Sequence, residues 1–198
     1  MHRLAIFDYV FVVMLVLCFL IRAPSEYKNK KIQSVESREG GKAKFYLMLV
    51  FTGSTTLPLL YLLTPWFNFA NYRVSVGAGC LGSALAVLGL SLFWKTHRDL
   101  GRQFSPTLEL KASHELISNG IYRHIRHPMY TAVFTVAAAQ LFLIGNFVVA
   151  PAFLLTFALL YFTRINQEEQ MMLDHFGTAY ADYQRRTNRL FPWFRRTP

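Results

Sequence analysis

Two short stretches carry residues whose types and spacing suit chemistry. The first, GIYRHIRHPMY (Gly120–Tyr130), sets Arg123, His124, Arg126 and His127 directly before the apolar run TAVFTVAAAQLFLIG. The second, RINQEEQMM (Arg164–Met172), follows the next apolar run. Asn119-Gly120 is a turn signal. Pro128 suits the first turn of a helix, where its missing N–H costs nothing, and it pushes His127 out of helical geometry. His124–His127 are therefore expected at a helix N-terminus, where free backbone N–H groups and the dipole favour a carboxylate or phosphate. Arg164 and Glu168 are four residues apart, hence on one helical face.

Each group has a plainer reading. Arginines beside an apolar run can snorkel to lipid headgroups and follow the inside-positive bias. An isolated Arg–Glu pair on a helix surface contributes only about 0.2–0.5 kcal/mol. Two histidines and a tyrosine among the arginines argue for more, since anchoring to headgroups does not need imidazoles. A zinc site from His124 and His127 would lack cysteines and a nearby acid at ligand spacing, so no metal is expected. The apolar runs between the two groups are joined by Gly145-Asn146. That tight joint predicts a helical hairpin, which brings both groups to one face.

The elements that must position these residues are membrane helices. Of 198 residues, 53% are hydrophobic and 16% charged, against about 25% charged in an ordinary soluble domain. The net charge of +10 is carried by stretches between apolar runs, a pattern that suits anionic headgroups and not a nucleic-acid groove. Cys18 and Cys80 lie inside apolar runs, so no disulfide framework is implied.

Five runs approach the ~20 residues that a bilayer core requires: Leu4–Ile21, Phe45–Leu63 with a kink expected at Pro58, Val74–Trp94, and the shorter Met129–Ile144 and Phe147–Phe162. The expected fold is all-α, a polytopic bundle of about five transmembrane helices with an interfacial segment after the last. The first run reads as a retained helix, because Arg22-Ala23-Pro24 is a poor cleavage site. Basic residues crowd the first and third connections and the tail, while the second carries only Arg73. This alternation predicts an outside N-terminus and a cytoplasmic C-terminus. The first loop, SEYKNKKIQSVESREGGKAK, reads as a flexible or short-helical connector. The tail FGTAYADYQRRTNRLFPWF reads as an interfacial segment that roofs a pocket at the hairpin end.

Gly77–Gly82, GAGCLG, satisfies the dinucleotide pattern G-x-G-x-x-G, with Asp99 near the distance of a ribose-binding acid. The context lacks the strands such a fold requires. The glycines share a membrane-length run with Ala78, Ser83, Ala84, Ala86 and Gly89, so close helix packing is the favoured reading.

Taken in order, His114-x-Leu116-Ile117, Gly120-x-Tyr122, Arg126-His127-Pro128-x-Tyr130, Arg164-x-x-x-Glu168-Glu169 and Phe176-Gly177-x-x-Tyr180-x-x-Tyr183 resemble the isoprenylcysteine carboxyl methyltransferase family, in its short prokaryotic form. The resemblance runs from His114 to Pro192. It implies an integral-membrane enzyme that uses S-adenosylmethionine to methylate the carboxylate of a lipidated cysteine. It implies cofactor contacts from His114, Glu115, Leu116, Ile117, Tyr122, His127, Pro128, Met129, Tyr130 and Glu168, with Arg164 on the substrate carboxylate. Arg164 and Glu168 are thus the implied catalytic residues, and Glu169 is the other candidate for the acid. Residues 1–198 would form one domain, with 1–100 supplying three helices and 101–198 the cofactor-binding half. The chain is shorter than eukaryotic members and lacks their extra N-terminal helices.

The residues are compatible with that cofactor: His127 and the helix N-terminus for its carboxylate, Glu168 for its amino group, Tyr122 or Tyr130 for its ring or cationic sulfur. A carboxylate acceptor needs no general base, being ionised at neutral pH. A phospholipid amine would need one, from Glu168, Glu169 or His124. Both acceptors stay open at this level, as do an NADPH-dependent membrane reductase with a similar C-terminal motif and a non-enzymatic bundle with a lipid-binding rim.

Overall fold

The computed structural model describes residues 5–29, 34–37, 41–101, 109–111 and 116–192. Helix α1 spans Ile6–Asn29, α2 Gly41–Phe51, α3 Leu57–Leu63 and α4 Val76–Leu100, followed by α5 (Pro128–Leu143), α6 (Val149–Phe176) and α7 (Thr178–Arg186). A π turn, Thr52–Thr56, joins α2 to α3, so the two form one span. Four spans are long and apolar enough to cross a membrane: Ile6–Tyr27, Lys42–Leu63, Val76–Leu100 and Val149–Phe176. Large side chains on their outer faces are exposed, Val87 and Leu155 among them, as lipid-facing positions must be. The chain is a multi-pass membrane protein. All five expected helices are present. The short one, α5, has 16 residues, about 24 Å, less than the ~30 Å of a bilayer core.

The interruption in the second span begins before Pro58 and has its cause there. A proline at this position has no N–H for the carbonyl four residues back, and its ring crowds that carbonyl. The chain accommodates by widening into the π turn. The first connection departs from expectation. Helix α1 continues through Pro24 to Asn29, and Ser34–Ser37 (β1) pairs antiparallel with Glu109–Lys111 (β2). The pairing partner lies some 70 residues away in the chain, beyond the reach of a local pattern.

Small residues bring the helices together. A β-carbon on Gly82 would meet Leu143 at 2.9 Å, and one on Gly89 would meet Val136 at 2.8 Å, so α4 and α5 approach closely at both. Gly79 lies against the ring of Phe7 on α1. Gly79 and Gly82 of the GAGCLG stretch are thus packing contacts, while Gly77, Cys80 and Leu81 face outward.

The hairpin joint is fixed by Asn146. Its Oδ1 accepts from the N–H groups of Val148 and Val149, both at 3.0 Å, capping α6. Its Nδ2 donates to Phe67 O at 2.8 Å and Asn71 Oδ1 at 2.6 Å. The opposite end of the hairpin carries the functional residues.

Candidate active site

The approach to α5 is built around Gly120, whose φ of +57° favours glycine and whose Cα sits against Asp99. Asp99 Oδ2 accepts from Ile121 N at 2.8 Å. The single turn Gly120–Arg123 that follows buries Tyr122 and leaves Arg123 and His124 exposed. Burial raises the Tyr122 hydroxyl pKa. Tyr183 of α7 donates to Tyr122 O at 2.6 Å.

From α7 the chain returns as a strap. Arg126 N donates to Asn188 O at 2.8 Å, His127 N to Arg189 O at 3.0 Å, and Thr131 Oγ1 to Leu190 O at 2.6 Å. The N–H groups of His124 and Ile125 donate to Ile121 O, so all four from 124 to 127 are taken before α5 begins at Pro128. This narrows the expected anion site to the first turn of α5 itself.

His127 is buried between two acids. Its Nδ1 lies 3.6 Å from Glu168 Oε1, and its Nε2 lies 3.2 Å from Glu169 Oε1. Burial alone would lower the imidazole pKa, but the two carboxylates outweigh it and the pKa is raised. An imidazolium offers a donor to each side. Glu169 is otherwise consumed by the strap. Arg126 Nε reaches its Oε1 at 3.1 Å, and Arg189 contacts its Oε2 through Nη2 at 2.6 Å and Nε at 3.0 Å. Arg126 also donates to the carbonyls of Gln184 and Thr187.

Glu168 faces the other way. Its Oε2 accepts from Tyr130 Oη at 2.7 Å and lies 3.8 Å from Arg164 Nε. Its side chain keeps 26% exposure, and it lines a cavity of about 820 Å³. The mouth of that cavity is polar, formed by Tyr122, Arg126, His127, Tyr130, Arg164 and Glu168. Its body is apolar and reaches between α1, α2, α5 and α6, with Phe11, Met14, Val50, Val136, Phe153 and Phe157 on its walls. The arrangement can hold a small zwitterion at the rim and a hydrocarbon tail within.

Of the residues expected here, Tyr122, His127, Met129, Tyr130, Arg164 and Glu168 share this one cavity. Pro128 opens α5 and is buried behind the wall. Leu116 and Ile117 are half-buried and are not on the cavity wall. His114 and Glu115 lie outside the described residues. Arg22, Glu26 and His97 complete the far rim and were missed. The available signal was positional: Arg22 and His97 end apolar runs on the side that the charge pattern assigns to the same face.

Residues 82–174, nearly half of the chain, match the family model of the isoprenylcysteine carboxyl methyltransferase (ICMT) family. Over that segment the chain is similar to this family. The matched segment holds every polar residue of the mouth named above. A methyltransferase family implies a methyl donor. The protein-S-isoprenylcysteine O-methyltransferase of Schizosaccharomyces pombe is 32% identical over 123 residues, 61% of this chain and 49% of its own. The enzyme of the same name from Tribolium castaneum is 29% identical over 115 residues, 57% of this chain and 41% of its own. The chain thus spans about half or less of the length of these relatives. A solved structure of the eukaryotic intramembrane Ras methyltransferase ICMT superposes with a TM-score of 0.60 over 93% of this chain and 64% of that one. At 24% identity this likeness establishes a shared membrane-bundle fold.

Proposed function

We propose that this protein is an S-adenosylmethionine-dependent carboxyl methyltransferase acting on a lipidated, isoprenylcysteine-like substrate at the cytoplasmic membrane face. The observation that carries the proposal is the cavity itself: one space joins a charged mouth to an apolar interior. A lipid-attached acceptor has that division of polarity, with a tail that stays in hydrocarbon and a polar end that must meet a water-soluble cofactor.

The residues present fit the cofactor. Glu168, partly exposed on the cavity, suits an amino group. Tyr122 and Tyr130 offer aromatic faces to a flat ring or a cation. Arg126 lines the cavity with Nε and Nη1 held by Glu169 and the strap carbonyls, which leaves its Nη2 edge for the cofactor carboxylate. When bound, S-adenosylmethionine supplies an electrophilic methyl group.

Arg164 holds the acceptor carboxylate in this reading. A carboxylate is ionised at neutral pH, so no residue has to remove a proton. Orientation by Arg164 and exclusion of water by the strap and helix walls then provide the rate enhancement. Glu168 positions Tyr130 and the cofactor amino group. Residues 1–198 work as one unit in this reading: 1–100 wall the tail channel together with α5 and α6, and 101–198 also hold the cofactor. The basic loops support a cytoplasmic mouth.

Calorimetric titration of the detergent-purified chain with S-adenosylhomocysteine tests the cofactor without requiring the acceptor. Binding is expected, and stronger binding of NADPH would overturn the proposal. Transfer of labelled methyl to an N-acetyl-S-prenylcysteine is expected to give a base-labile ester. Base-stable label on a phospholipid amine would remove the carboxylate acceptor.

A further inference from the structure

The apolar body of the cavity contains one polar notch. Gln140 lies on α5 ten residues beyond Tyr130, about 15 Å deeper along the helix axis, and is fully buried. The π turn Thr52–Thr56 faces it across the bundle. Gly53 in that turn sits so close to α6 that a β-carbon would meet Thr156 Oγ1 at 2.6 Å and Ala152 O at 2.8 Å. This approach brings Gly53 O within reach of Gln140. Gln140 Nε2 donates to Gly53 O at 3.1 Å and to Val149 O at 2.9 Å.

Two carbonyl partners settle which amide atom is nitrogen, and they use both of its hydrogens. Oε1 is left buried with no hydrogen-bond partner among the described residues. Gln140 lines the cavity together with Ser54 and Thr55, whose hydroxyl oxygens are 3.3 Å apart. An acceptor without a donor is costly in hydrocarbon surroundings, and π turns recur at functional sites. Gln140 is among the residues that line the cavity, so a donor carried by an occupant can reach this part of the wall.

We propose that Gln140, Ser54 and Thr55 form a hydroxyl-binding subsite deep in the cavity, which takes an O–H carried near the far end of the acceptor's lipid tail. A hydroxyl can donate to Gln140 Oε1 while accepting from Ser54 or Thr55. An ammonium would be stranded there as a charge in the membrane interior. A trapped water has the same donor chemistry, and the experiment separates the two. The proposal rests on the lipid-acceptor reading above and narrows it: an unmodified isoprenyl tail is pure hydrocarbon, so the acceptor that fits this subsite has a hydroxylated tail.

The test titrates the detergent-purified full chain with three N-acetyl-S-alkylcysteines of equal tail length. One has a plain tail, one a hydroxyl near the sulfur, and one a hydroxyl at the far end. The far-end hydroxyl should bind about tenfold more tightly than the near-sulfur one, the factor that one hydrogen bond contributes. Gln140→Leu should abolish that preference. Thr55→Val leaves the Gln140 bridge intact and should reduce the preference about threefold, which keeps the test available if Gln140→Leu folds poorly. Equal binding of the two hydroxylated tails, as a resident water would produce, overturns the subsite. So does a preference that survives in Gln140→Leu, or failure of all three to bind. Methyl transfer is read separately: a far-end preference without any base-labile ester keeps the subsite and removes the carboxylate-acceptor reading.

Discussion

Glu168 and Glu169, adjacent in the chain, turn their carboxylates to opposite sides of His127. Successive residues on an α-helix are about 100° apart, so one acid faces the cavity with Tyr130 and Arg164 while the other faces the strap with Arg126 and Arg189. The imidazole lies between them, 3.6 Å from the first and 3.2 Å from the second. The cavity wall and the strap are therefore connected through one side chain.

The two acids should separate in mutagenesis. Glu168→Gln is expected to weaken S-adenosylhomocysteine binding about 10- to 100-fold, the worth of a hydrogen bond to a charged group. Its melting temperature should fall by less than that of Glu169→Gln, because its contact with His127 is the longer one. Glu169→Gln should instead destabilise by about 3 kcal/mol, because Arg126, with only 11% exposure, would keep a buried charge without its carboxylate. Calorimetry and thermal melts on both variants check this, and equal effects on binding would refute the division of roles.

The strap should loosen as pH rises. The His127 pKa is raised above its ordinary value of 6.5, so the charged ring's contribution to stability is fully present below about pH 6.5. It is lost as pH climbs through the raised value. Wild-type melting temperature should fall over that range, and His127→Gln should flatten the dependence. A wild-type melting temperature that rises there would contradict the bridged imidazolium.

Arg164→Ala should spare the cofactor and damage turnover. Arg164 lines the cavity but lies 3.8 Å from Glu168, a looser contact than Tyr130 makes with the same acid. The expected result is S-adenosylhomocysteine affinity within about threefold of wild type and kcat/KM for the acceptor lowered about 10- to 100-fold. Loss of cofactor affinity of the same size would move Arg164 into the cofactor site.

Gly89→Leu should test the packing role of the small-residue stripe. A β-carbon at Gly89 already meets Val136 at 2.8 Å and the Val136 backbone nitrogen at 3.0 Å, so α4 and α5 would have to separate. Overpacking of this kind costs about 1–3 kcal/mol or more. Gly77→Leu, in open space, should have no measurable effect on melting. Similar losses from both would point away from packing.

Much of the site was legible because its parts are close to helix ends that the hydropathy pattern defines. Pro128 marks the start of α5, the Gly145-Asn146 joint forces the hairpin, and Arg164 and Glu168 are one turn apart past the apolar part of α6. These local facts suffice to bring His127 and Glu168 to one face. Nothing local separated Glu168 from Glu169. Their roles follow from Arg189 and the carbonyls of residues 187–190, which come from a segment with no readable pairing signal. Arg22 and His97 were illegible as site residues for a similar reason: their approach to the cavity depends on how α1 and α4 pack.

The amino-acid sequence alone determined the lipid-embedded helical class, the positions of the helices and the motif that gathers histidine, tyrosine and acid at one end. Periodicity, length and proline chemistry act within a few turns of chain, so they can be read there. Tertiary structure decided which of those groups face a shared cavity, that strap carbonyls take the N–H groups of Arg126 and His127, and that Gln140 meets a π turn 87 residues away. Those outcomes depend on how closely glycines let the helices approach and on where a returning segment finds buried donors, and both are properties of the packed bundle.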